Sequence, residues 1–139
     1  TDKAGVMAVH MDMSGSIRSR ERTAMLTEVV SLAKSIKPSE LHVLYWDTKV
    51  TQHEVYTCDE LDTVLANTKP TGGGGTDVLC VPEYMQQHNI KPKASVVLTD
   101  GDLYRGWGTW DHPLLWCVLD NKDAKPDVGK VVHIKTGDM

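Results

Sequence analysis

Apolar residues fall along this chain in two rhythms. Val6 to Met11 is almost continuously apolar, the mark of a central parallel strand covered on both faces. After Ser16 the period changes: Met25, Leu26, Val29, Val30, Leu32, Ala33 and Ile36 recur at three and four, which predicts an amphipathic helix ended before Pro38. Leu41 to Trp46 reads as a second buried strand and Val50 to Tyr56 as a more polar one. Only Asp47-Thr48-Lys49 separates them, enough for an antiparallel hairpin and nothing else, so the polar strand belongs at a sheet edge. Asp59 is placed to cap a short helix carrying Leu61, Val64 and Leu65. A further short helix is expected from near Pro82 to Asn89, since proline is accepted in a first helical turn. Ala94 to Thr99, Leu114 to Leu119 and Lys130 to Lys135 complete the strands.

Helices alternating with apolar strands make an α/β, Rossmann-like three-layer sandwich: a mostly parallel central sheet with one antiparallel edge strand. Two connections, 101–113 and 120–128, are too short for a covering helix together with its turns. Part of a sheet face is therefore left either to a compact loop using Leu103, Trp107 or Trp110, or to a docking partner. A length of 139 residues suits one domain with a real core, so residues 1–139 are read as a single unit. Because the chain begins at Thr1, without a starting Met, and enters a core strand by Val6, the reading is a domain of a longer parent chain.

The formal net charge of −4, spread over mixed acids and bases, leaves no basic stripe, which argues against nucleic acid or an anionic membrane as partner. No apolar run approaches the roughly 20 residues of a bilayer-spanning helix. Cys58, Cys80 and Cys117 are odd in number and widely spaced, which fits neither a disulfide framework nor a structural zinc site; a reducing cytoplasm is the expected setting. Isolated histidines are usually structural or solvent-facing, so of the six only His112, close to a candidate loop, draws further attention.

Candidate chemistry lies where apolar runs end. Asp12-Met13-Ser14-Gly15-Ser16 follows the first strand, Gly72-Gly73-Gly74-Gly75-Thr76-Asp77 forms a glycine-rich loop, and Leu98-Thr99-Asp100-Gly101 closes a later strand. Their carboxylates and hydroxyls are hard oxygen donors, suited to Mg²⁺ or Mn²⁺ rather than Zn²⁺. Open parallel sheets bind ligands beyond the carboxyl ends of their strands, where all three segments are expected.

These residues resemble the metal-ion-dependent adhesion site of von Willebrand factor A domains: D-x-S-x-S, then a distant Thr, then a distant Asp. Asp12, Ser14, Ser16, Thr76 and Asp100 fill the pattern. With the Leu115-Trp116 strand, the likeness extends over nearly the whole chain. It is similar to the compact A-like domain at the C-terminus of bacterial and phage metallopeptidase-related proteins. The resemblance implies that Ser14, Ser16 and Thr76 touch the metal and that the aspartates act directly or through water. One coordination position is left for an Asp or Glu of a protein partner, an AAA-type ATPase or the rest of the parent chain.

Around this site, Gly75, Asp77, Asp102, Trp107 and Trp110 are the candidate partner-contacting residues. Asp77 has two readings, ligation through water or capping the next helix, and capping is the commoner role. The tryptophans of Gly106-Trp107-Gly108-Thr109-Trp110 are amphipathic rings of the kind found at binding hot spots, although loop tryptophans also fold back onto cores.

The expected function is a non-enzymatic, metal-dependent interaction module. The alternatives are a Mg²⁺-dependent phosphohydrolase-like enzyme and a nucleic-acid-associated adaptor. Phosphoryl transfer of the haloacid-dehalogenase type needs a second carboxylate two residues after Asp12, where this chain has Ser14. The tetraglycine loop lacks the Gly-Lys-Ser/Thr ending of a phosphate-binding loop, and there is no His-Glu-x-x-His helix. Any peptidase-like chemistry would belong to another part of the parent.

Overall fold

Val6–Asp12 forms β1, buried from Met7 onward, as its near-continuous apolar character requires. The computed structural model describes residues 5–138; Thr1 to Ala4 and Met139, assigned above to the same domain, lie outside the described residues. After the Asp12–Arg18 turn the chain enters α1 (Ser19–Ile36), which buries Met25, Leu26, Val29, Val30 and Ala33. The helix ends at Ile36, two residues before Pro38: Lys37 adopts a left-handed conformation (φ 58°) and its N–H returns to Ala33 O at 2.7 Å.

Glu40–Trp46 (β2) and Val50–Thr57 (β3) form the expected hairpin, antiparallel from Glu40 opposite Thr57 to Trp46 opposite Val50. A 3₁₀ turn (Cys58–Thr63) runs into α2 (Val64–Asn67). The cap here differs from expectation. Thr57, not Asp59, precedes the turn, and the Glu60 carboxylate accepts the Thr57 N–H at 2.9 Å; Asp59 lies inside the first turn. The next helix, α3, spans Cys80–Gln87, so it starts two residues ahead of Pro82, which still falls in its first turn. Then come β4 (Ala94–Thr99), β5 (Leu114–Leu119) and β6 (Lys130–Ile134).

The six strands form one sheet in the order β3-β2-β1-β4-β5-β6, parallel except for the β2–β3 pair. One face packs Val9 and Met11 of β1 and Leu98 of β4 against Leu26, Val29 and Ala33 of α1. The other packs Trp46, Val97 and Trp116 against Val78, Val81 and Met85. The helix-free 101–113 connection covers this second face with Leu103, Trp107 and Trp110. Parallel β1 and β4 are neighbours at the centre, with Met11 opposite Leu98, so the turns that leave their carboxyl ends emerge side by side. No described helix is long and apolar enough to cross a membrane.

Candidate metal site

Asp12, the last residue of β1, is fully buried, and its carboxylate is held by two donors. Oδ1 accepts the Ser14 N–H at 2.7 Å and Oδ2 accepts the Thr99 hydroxyl at 2.8 Å. Burial pushes the Asp12 carboxyl above the usual carboxylate range, against the pull of these hydrogen bonds. The turn is braced from α1: Arg22 donates to the main-chain oxygens of Asp12 and Ser14, each at 3.0 Å.

From Asp12 the polar chain runs outward. Ser14 Oγ lies 3.2 Å from Ser16 Oγ, and the Ser16 hydroxyl donates to Asp100 Oδ2. Asp100, just past β4, accepts the Asp102 N–H on Oδ1 (3.1 Å) and the Asn121 side-chain N–H on its main-chain oxygen (2.9 Å). Four of the five residues singled out in sequence are thus linked in one hydrogen-bonded run. A cavity of roughly 440 Å³, bordered by Ser16, Asp100, Asp102, Asp120 and Asn121, opens beside it.

Thr76 approaches on the glycine loop, which main-chain contacts seat against the same turn. Met13 N–H donates to Trp46 O at 2.9 Å, and a Cβ on Gly72 (φ 140°) would lie 2.8 Å from Met13 Cβ, so only glycine fits there. Asp47 Oδ2 accepts the Gly74 N–H at 3.1 Å, Asp47 O accepts the Asp77 N–H at 2.9 Å, and Thr76 O accepts the Tyr104 N–H at 2.8 Å. Half-buried Thr76 is therefore carried between the β1 turn, the β2–β3 turn and the loop after β4. Burial of Asp47 opposes ionisation, but main-chain N–H groups of Lys49, Gly74, Thr48 and Gly73 outweigh it and hold this carboxyl below its ordinary value.

The expected partner-contacting residues divide. Gly75 and Asp102 are exposed. Asp77 is buried and its oxygens are engaged within the fold: Oδ1 accepts the Leu79 N–H ahead of α3 (3.2 Å) and Oδ2 pairs with Arg105 (2.7 Å). Both contacts tie Asp77 into the turn ahead of α3 and to the loop after β4; the residue at the N-cap of α3 is Leu79, which makes no side-chain cap hydrogen bond. Trp107 and Trp110 turn inward, stacking edge-on against buried Trp116 at centroid distances of 4.9 and 5.8 Å, and Trp110 Nε1 donates to Trp107 O. The ring this loop leaves in solvent is Tyr104, 79% exposed. His112 is not near the site: it bonds Ser95 (2.6 Å) at the other end of β4 and Asp111 (2.8 Å). Thr99, Arg22, Asp47 and Asn121 were not foreseen; only Thr99 had a local signal, its place in the Leu-Thr-Asp-Gly strand end.

The donor set fits a small hard cation. Among the described residues no three His, Cys, Asp or Glu side chains gather as a metal cluster, so hydroxyls form part of any ligand set here. Neighbouring ligands of an octahedral ion with bonds of about 2.1 Å stand about 3 Å apart. The two serine oxygens, 3.2 Å apart, already have that spacing. Asp12 and Asp100 would supply the negative charge that neutral hydroxyls lack.

Residues 7–135 match the family model described as VWA-like domain (DUF2201). No curated protein matches the chain. Among solved structures, the chain is similar to the conserved hypothetical protein BatB from Bacteroides thetaiotaomicron: 12% identity, TM-score 0.64, covering 94% of this chain and 90% of that one. It also resembles an aerotolerance-related membrane protein from Bacteroides fragilis NCTC 9343, at 12% identity and TM-score 0.54, over 81% of this chain and 66% of the other. At such identities these likenesses establish the fold alone.

Proposed function

Because the chain belongs to the VWA-like domain family DUF2201, we propose that it is a divalent-metal-dependent protein-interaction module. Asp12, Ser14, Ser16, Thr76 and Asp100 hold Mg²⁺ or Mn²⁺, and an Asp or Glu of the partner completes the coordination. The observation that carries this reading is the hydrogen-bonded run Asp12–Ser14–Ser16–Asp100 at the carboxyl ends of adjacent parallel strands. When bound, the cation supplies a positive charge that an acidic side chain can reach. The chain's own residues orient and balance it: Asp12 anchors the turn, the serines point hydroxyls outward along it, and Asp100 closes the far side. The nearby N-terminus of α1 favours an incoming anion.

We expect no enzymatic activity from the module: the second carboxylate that phosphoryl transfer would use two residues after Asp12 is replaced by Ser14. Its partner is an AAA-type ATPase or another part of the parent protein, and its compartment is the cytoplasm, which the free cysteines Cys58, Cys80 and Cys117 suit.

Capture from native cell extract tests the interaction. A specific protein should be retained by the chain in Mg²⁺, released by chelator and not retained by Thr76→Ala. Equal retention in all three would mean that binding does not run through the metal.

A further inference from the structure

We propose that Asp47 is the positioning residue of the metal site, acting at a distance through the glycine loop; this rests on the metal reading above. Asp47 lies at the end of β2, outside the ligand set, yet its carboxylate divides between two elements. Oδ1 accepts the Lys49 N–H of its own hairpin turn at 3.1 Å, and Oδ2 accepts the Gly74 N–H of the loop carrying Thr76 at 3.1 Å. Its main-chain oxygen takes the Asp77 N–H, one residue past Thr76. One residue thus grips the loop on both sides of the threonine.

The loop needs such a grip. Gly72 and Gly73 adopt φ values of 140° and 136°, a region favourable only to glycine, and four consecutive glycines lose much conformational entropy when fixed. Nothing in their side chains can hold them, so order must come from main-chain partners. Asp47 is buried while Gly74 is exposed, so the bond pins the outer part of the loop to the edge of the core. Tyr104 N–H on Thr76 O supplies the opposing contact. Outer partners that orient metal ligands typically change affinity by about 10- to 100-fold when removed. Here the main-chain bond to Asp77 survives any change of the Asp47 side chain, so the low end is expected.

A purely local role in the hairpin and a plain effect of charge are the rival explanations, and two variants separate them. Asp47→Asn keeps the size but can serve only one of the two N–H groups, and it removes the charge. Gly74→Ala attacks the same contact from the loop side: its Cβ would stand 3.1 Å from Asp47 Oδ2, while the carboxylate charge and the Lys49 bond remain. Mn²⁺ titration should give about 10-fold weaker binding for both variants. Amide exchange at Gly74, measured without metal, should quicken in both. Asp62→Asn, on the exposed Asp62–Lys34 pair, should change neither. Parent-like Mn²⁺ affinity in Gly74→Ala with quickened exchange would overturn the positioning role, as would unchanged exchange in both variants. A parent chain that binds no Mn²⁺ would instead overturn the metal reading, and this assignment with it.

Discussion

Asp12 carries a carboxylate into the interior at the end of β1, and the Ser14 N–H and Thr99 hydroxyl offset its desolvation. Two residues earlier on the same strand, His10 meets the same problem by staying neutral. It is fully buried, with Nε2 bonded to Ser95 at 3.0 Å, and burial, reinforced by the charges of His112, His42 and His53, pushes its pKa down to about 3. An unfolded histidine titrates near 6.5, so the stability tied to neutral His10 is complete above that pH. It is lost as pH falls toward 3, because only the unfolded chain then takes up the proton. The loss should approach about 1.4 kcal/mol per pH unit below 6.5. Urea unfolding at pH 7.5 and 5.5 checks this: His10→Leu, which leaves Ser95 its His112 partner, should narrow the difference by about that amount. A variant as acid-sensitive as the parent would contradict it. At this scale the candidate site residues stood out in the sequence because their order and spacing form a pattern, and four of them meet in one hydrogen-bonded run. Thr99 and Asp47 were not, because their significance lies in partners 87 and 27 positions away, which no local spacing encodes.

Between elements, the decisive substitution of roles is in the 101–113 connection. It replaces a helix as cover for one sheet face, and Trp107 and Trp110 are consumed in doing so against Trp116. Trp110→Ala should therefore cost about 2 kcal/mol in denaturant unfolding, less than a fully buried tryptophan because the ring is partly exposed, while Mn²⁺ affinity stays at the parent value. Unchanged stability with impaired partner binding would return the ring to the interface. The shortness of this connection was readable, and so was the choice between covering loop and docking surface. The choice itself depends on Trp116 standing under the loop, a tertiary fact. The misplaced cap before Cys58–Thr63 was an error of reading rather than of information: Thr57 and Glu60 have the Ser/Thr-x-x-Glu spacing that marks a reciprocal cap.

For the whole molecule, strand order does most of the work. Alternating apolar runs and helical periods were enough to give a parallel α/β sheet and the β2–β3 hairpin at its edge. Centring β1 beside β4 then brings the Asp12 turn and Asp100 together, and the glycine loop reaches them over the β2–β3 turn. On the α1 face the cover is thinner toward β6, where Val132 is 46% exposed, as is much of Leu32 on α1, because neither helix-poor connection contributes a second helix there. If this sheet end holds a hard divalent cation, as proposed, anomalous diffraction at the manganese edge from crystals grown with Mn²⁺ will locate it. A peak is expected at ligand distance from the Ser14 and Ser16 hydroxyls, facing Thr76 and Asp100 and absent in Asp12→Ala crystals. Manganese bound only elsewhere on the molecule, or bound here unchanged without Asp12, would contradict it.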